Sequence, residues 1–223
     1  MTTPRLITVD GPAGAGKGTL ARRLAAHFGF AHLDTGKLYR AVGLGTLAAG
    51  GDPAEPGDAI AAARALDPAS IARGGLENPE LAGDTAASAA SKVAAIPEVR
   101  EVLLSFQRDF AQTPPDDSKG AVLDGRDIGT VICPQAEIKL FVTASDEVRA
   151  ARRFAEISQK NETATLALVL EDLRQRDQRD RDRATAPMIQ AQDSILLDTS
   201  DLDASQALAK AIAIVALHPG LLT

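Results

Sequence analysis

Nine residues near the start of the chain, GPAGAGKGT from Gly11 to Thr19, have the types and spacing to hold a phosphate. Gly11, Gly14 and Gly16 can take backbone angles closed to residues with a Cβ, so successive amide N–H groups can turn around an anion at a helix N-terminus. Lys17 adds a mobile positive charge where β- and γ-phosphates would lie. A GxxxxGK match can arise by chance in a glycine-rich chain, but its setting argues otherwise. The apolar run Leu6 to Val9 reads as a strand before it, and Leu20, Leu24 and Phe28 recur on one face of a helix after it. The expected nucleotide-phosphate site is therefore Gly11, Pro12, Ala13, Gly14, Ala15, Gly16, Lys17, Gly18 and Thr19. Gly18 stands where Ser or Thr usually follows the lysine, with Thr19 next.

Three further segments carry mixed charge where a strand should end. DTGKLYR places Asp34 and Thr35 near a carboxyl edge, where open α/β sheets bind ligands. Either residue could simply cap the helix expected over Gly36 to Ala49, and both roles can coexist. Arg40 on that helix is a candidate for an acceptor phosphate. DGRDIGT, Asp124 to Thr130, sets two aspartates and an arginine between two glycines. The glycines alone mean only a tight turn, but charges of both signs there are costly unless used. Asp124 can orient magnesium through water, with Thr19 and Asp34 also near it, while Arg126 and Asp127 point toward a second substrate. LRQRDQRDRDR, Leu173 to Arg183, reads either as a solvated helix laced with i, i+4 ion pairs or as a working face. In the second reading Arg176, Asp180 and Arg183, spaced i, i+4 and i+7, face a sugar phosphate together. Arg149, Arg152 and Arg153 lie on a helix expected over Asp146 to Ile157, ahead of the polar stretch SQKNETAT. They read as lid arginines, able to neutralise a transferring phosphoryl group while water is excluded.

These groups need a scaffold. Apolar runs at Arg5 to Asp10, Phe30 to Leu33, Ala121 to Leu123, Ile138 to Thr143 and Ser194 to Leu197 alternate with helical patterns, which indicates an α/β parallel sheet of five strands. The gap between the second and third strands is too long for one crossover and is punctuated by Pro53, Pro56, Pro68, Gly74 and Pro79, so it should hold an inserted subdomain. A chain of 223 residues that is 45% hydrophobic suits one domain with insertions. The core should span about 1–40 and 120–223, the insertion about 41–112 and the lid about 152–183. The net charge of −6 gives no reason to expect a nucleic-acid polymer or a membrane as partner. A lone cysteine, Cys133, excludes an internal disulfide, and His27, His32 and His218 lack ligand spacing. The first strand begins within a few residues of the start, and the apolar stretch Ala207 to Leu217 is short and broken by Lys210. A cytoplasmic monomer is expected.

Taken together, GPAGAGKGT, LDTGKLYR, ASKVAAIPEVRE, DGRDIGTVICP and RDQRDRDRATAP, in this order, resemble bacterial cytidylate kinase over nearly the whole chain. The GKGT ending is similar to that of nucleoside monophosphate kinases generally. The resemblance implies a P-loop NTPase fold, with strand order 2-3-1-4-5 and an inserted NMP-binding subdomain. It also implies transfer of the ATP γ-phosphoryl group, with Mg²⁺, to CMP or dCMP. By motif, Ser91, Arg100 and Asp127 would read the cytosine, Arg176 and Asp180 the ribose, and Arg40, Arg126 and Arg183 the acceptor phosphate, with Thr35 also in the CMP site. The catalytic set would be Lys17, Arg126, Arg152, Arg153 and Arg183. Ser88 stands where the family pattern has Asn, and the stretch from Arg40 to Ser91 lacks the strand pattern of a β-insert. Two other functions fit the phosphate loop alone: a kinase for another small acceptor, which would need a base if that acceptor were a hydroxyl, and a nucleotide-dependent switch, which would call for a guanine-reading NKxD element.

Overall fold

Five apolar runs pair into one sheet whose carboxyl edge gathers the charged segments. The structure is a computed structural model that describes residues 5–67, 71, 75–116, 118–158 and 164–218. Strands β1 (Arg5–Asp10), β2 (Ala31–Asp34), β3 (Gly120–Gly125), β4 (Ile138–Thr143) and β5 (Ile195–Asp198) are all parallel, in the order β2-β3-β1-β4-β5. β3 is longer than its apolar run predicts, because it is flanked on both sides and its polar end residues still find ladder partners. The register sets Asp10 opposite Gly125 and Asp34 opposite Asp124, so three acids meet at one edge.

Helices follow each strand. α1 (Lys17–Phe28) leaves the phosphate loop and α2 (Thr35–Ala48) leaves β2. α3 (Pro56–Arg64), α4 (Asp84–Val93) and α5 (Pro97–Gln112) fill the long gap before β3. α6 (Asp146–Ile157), α7 (Leu166–Asp182) and α8 (Ala204–Ala216) complete the described helices. The segment Gly75–Ala82 forms two short 3₁₀ turns and no strand. Pro68, Gly74 and residues 159–163 of the polar stretch read as a lid lie outside the described residues.

Side-chain alternation along β3 builds a core on each face of the sheet. Leu123 packs with Leu38, Val42, Val93 and Val99, while Val122 packs with Ile7, Val9, Leu24 and Leu140. Each of these side chains contributes about 1.5–3 kcal/mol by burial. α2 and α4 approach closely because Gly43 has no Cβ, which would come within 2.6 Å of the Ala89 Cβ. A third small cluster joins Ala13 of the phosphate loop to Ala150, Val169 and Leu173 of α6 and α7. Among the described residues no helix is long and apolar enough to cross a membrane.

Candidate active site

The phosphate loop is shaped by backbone. Gly11 has φ 146°, and a Cβ there would sit 1.9 Å from the Val142 carbonyl oxygen, so only glycine fits. Gly14 and Gly16 have φ of 74° and 83°. No side chain caps α1 at Gly16, which leaves its first N–H groups for an anion. Lys17 Nζ donates to the Pro12 carbonyl at 3.3 Å. Burial, reinforced by the nearby Arg126, pushes Lys17 down to about 7, and phosphate would restore its charge. The Ala13 N–H turns instead to Asp177 Oδ1 at 3.3 Å, so the donors left for a phosphate begin at Gly14.

Beside this loop lie the strand-end acids. Asp34 caps α2, accepting from the Lys37 N–H at 3.2 Å, and Thr35 Oγ1 donates to the Asp124 carbonyl at 2.8 Å. Asp124 Oδ1 bonds His32 Nε2 at 2.8 Å, and the Asp124 carboxyl is pushed up by burial, with His32 opposing. Its Oδ2 lies 3.5 Å from where a Gly18 Cβ would stand, so the acid faces the loop. Hard carboxylate oxygens there fit Mg²⁺, and among the described residues no group of three or more acids, histidines or cysteines could hold a metal alone. The cation would therefore share its coordination with phosphate and water.

Asp10 ties the loop's strand to the turn that follows β3. Its carboxylate accepts from the Ile128 N–H at 2.8 Å and the Gly129 N–H at 2.7 Å, which fixes the π-helical turn Ile128–Ile132 directly after Arg126 and Asp127.

A cluster of guanidiniums lies around one further acid, Asp180. Arg126 Nε donates to Asp180 Oδ2 at 2.8 Å, and Arg183 Nε to the Asp180 carbonyl at 3.3 Å. Burial opposes ionisation of Asp180, but Arg126, Arg183 and Arg176 hold its carboxyl below the usual range. Burial, then repulsion from Arg126, pushes Arg176 down to about 10. Arg40 Nη1 donates to the Leu81 carbonyl at 2.6 Å. Four guanidiniums against one carboxylate leave a positive excess that a phosphate would balance. Deeper in, Arg100 and Asp127 form a buried ion pair, with Arg100 5.5 Å over the Tyr39 ring. Ser91 Oγ, Arg176 Nε and Arg183 Nη2 are buried with no hydrogen-bond partner among the described residues. The Thr8 and Tyr39 hydroxyls and the Gln107 Oε1 share that condition, so an orphaned polar atom alone does not place a ligand.

The three arginines of α6 go to three places. Arg149, read as a lid group, is instead buried in an ion pair with Asp177 and serves the phosphate loop. Asp177 lies on the buried face shared by Val169 and Leu173. Arg152 donates to the Thr199 and Leu202 carbonyls at 2.6 and 3.1 Å. Arg153 bonds Asp84 of α4 and, at 2.9 Å, Glu156. A cleft of about 880 Å³ runs between these groups, lined by the phosphate loop, Arg40, Arg126, Arg152, Arg153 and Arg176.

Residues 7–217 match the family model described as cytidylate kinase. The chain belongs to the cytidylate kinase family. It is 59% identical over 210 residues to a cytidylate kinase of Paramagnetospirillum magneticum, covering 94% of this chain and 97% of that one. Identity to the cytidylate kinase of Rhodospirillum rubrum is 56% over 211 residues, covering 95% and 97%. A crystal structure of an uncharacterized protein from Eubacterium ventriosum shares the fold alone, with TM-score 0.55 and 14% identity over 95% of this chain and 98% of that one. The cytidylate kinase family fold is that of P-loop NTPases, and the sheet order agrees with it.

In this cytidylate kinase family member, sequence reasoning missed Asp10, His32 and the Arg149–Asp177 pair. Asp177 had a readable signal, since it continues the four-residue spacing of Val169 and Leu173 onto the apolar face. Asp10 closes a buried strand with a charge, which calls for donors nearby.

Proposed function

We propose that the chain transfers the γ-phosphoryl group of ATP to CMP or dCMP, giving ADP and CDP or dCDP in pyrimidine nucleotide metabolism. The observation that carries this reading is the cleft that joins the phosphate loop to Arg40, Arg126 and Arg176, with the buried Arg100–Asp127 ion pair next in sequence to Arg126. A carboxylate can accept from the cytosine N4 amino group, and a guanidinium can donate to the ring acceptors. Ser91 would add its unpartnered hydroxyl. Arg176 and Asp180 would hold the ribose. Thr35, Arg40, Arg126 and Arg183 would hold the acceptor phosphate, whose oxygen attacks the γ-phosphorus as the bond to the β-phosphate oxygen breaks.

That oxygen is already anionic, so no general base is required, and catalysis rests on positioning and charge from Lys17, Arg126, Arg152, Arg153 and Arg183. Mg²⁺ bound with ATP would supply charge neutralisation between β- and γ-phosphates, held near Thr19, Asp34 and Asp124. Residues 41–112 would act as the acceptor-binding insertion and 152–183 as the lid, on a core of 1–40 and 120–223. A panel of nucleoside monophosphates with ATP and Mg²⁺ tests the reading. Turnover of CMP and dCMP well above AMP, GMP and UMP is expected, and preference for another nucleotide or none would overturn it.

A further inference from the structure

The Ala13 backbone is gripped by two buried charged side chains. Asp177 Oδ1 accepts from the Ala13 N–H at 3.3 Å, and Arg149 Nη1 donates to the Ala13 carbonyl at 2.8 Å. The same two residues bond each other at 2.5 Å, and Arg149 Nε donates to the Ala144 carbonyl at 3.1 Å. Arg149 and Asp177 are only 3% and 1% exposed. The Ala13 methyl packs with Ala150, Val169 and Leu173, and Gly14 passes so close to Arg149 that a Cβ would come within 3.2 Å of the Arg149 Cβ. The N–H of the Pro12–Ala13 peptide and the carbonyl of the Ala13–Gly14 peptide, the two backbone polar groups of Ala13, are therefore both satisfied by α6 and α7, the two helices that flank residues 159–163.

We propose that Arg149 and Asp177 are positioning residues for the donor nucleotide, which seat the phosphate loop against α6 and α7. A buried ion pair of this kind does more than join two helices, because a two-point hold on Ala13 sets the direction in which the next peptides, from Gly14 onward, present their N–H groups. It also carries any shift of α6 against α7 to the β-phosphate cradle. The inference rests on the kinase reading for its effect on turnover, but not for its effect on ATP binding.

Two gentle variants test it. Arg149→Lys keeps the charge but loses the fork that reaches Ala13, Ala144 and Asp177 at once, and Asp177→Asn keeps shape while weakening the pair. Calorimetry of Mg·ATP binding without acceptor should show affinity down about tenfold in each folded variant. Cytidine monophosphate affinity, measured separately, should stay within about twofold, and KM for ATP should rise more than kcat falls. Unchanged ATP affinity in a folded variant, or equal loss for both nucleotides, would overturn the proposal. Failure of the wild type to phosphorylate any monophosphate would sink the kinase reading and leave the ATP-binding result interpretable. If both variants fail to fold, amide exchange on the wild type decides. The Ala13 N–H should be protected without nucleotide and gain little with Mg·ATP, and an unprotected Ala13 amide would overturn the proposal.

Discussion

The phosphate loop and the acceptor cluster sit on the same cleft, yet they are held in opposite ways. In the loop, glycine geometry and the Arg149–Asp177 grip set the backbone before any nucleotide arrives. In the proposed acceptor cluster the charged groups are long side chains, and Ser91, Arg176 and Arg183 have buried polar atoms without a hydrogen-bond partner among the described residues. The first region is pre-organised by the fold, while the second would, in the proposed reading, be completed by its ligand. That division suits an enzyme whose donor phosphates are common to many nucleotides and whose selectivity must come from the acceptor.

The sharpest break on the donor side is Lys17→Ala. If, as proposed, its charge is used as the phosphoryl group moves, kcat should fall by about a thousandfold with little change in melting temperature. Near-normal turnover in a folded variant would remove the loop from the chemistry.

Asp10→Asn probes the link between the two regions. An amide presents one acceptor and one donor to the Ile128 and Gly129 N–H groups, leaving one of them orphaned at a cost of about 1–3 kcal/mol. KM for CMP should rise about tenfold while KM for ATP stays nearly constant, read by varying each substrate at saturation of the other. If KM for ATP rose instead, Asp10 would belong to the donor side.

Alanine at Arg152 or Arg153 should act more mildly, lowering kcat severalfold with less change in KM for CMP. A change confined to KM for CMP would make them ground-state acceptor contacts. Smallest of all is a proton count. Lys17, held near 7 without ligand against an ordinary 10.5, regains its charge beside phosphate, so Mg·ATP binding at about pH 8 should take up protons. Calorimetry in buffers of different ionisation enthalpy reads this directly, and the uptake should vanish in Lys17→Ala.

Local patterns were the most legible. The strands follow apolar runs, and the glycine loop announces itself between a strand and a helix. Their order in the sheet is not local, and only the resemblance implied it. The same limit hid the polar links. Asp10 reaches partners 118 and 119 residues away, and Asp177 reaches Ala13 across 164 residues. A charged residue read alone looks solvated or catalytic. Only the folded chain shows that Arg149 holds backbone while Arg126, four guanidiniums into the cluster's crowding, holds Asp180.

Selectivity for the base tests the account at its centre. In the proposed reading Asp127 would accept from the N4 amino group of cytosine but would face an acceptor oxygen at the same position of uracil. Removing it also leaves Arg100 buried and unpaired, so Asp127→Ala should lose stability as well. Comparing kcat/KM for CMP and UMP in the same variant cancels most of that loss. The measurement is this ratio in wild type and in Asp127→Ala. Loss of one charge-assisted hydrogen bond, worth about 1.5–3 kcal/mol, should reduce the preference for CMP by about ten- to a hundredfold, mainly through poorer use of CMP. An unchanged ratio would contradict base reading by Asp127 and leave it as a partner of Arg100 alone.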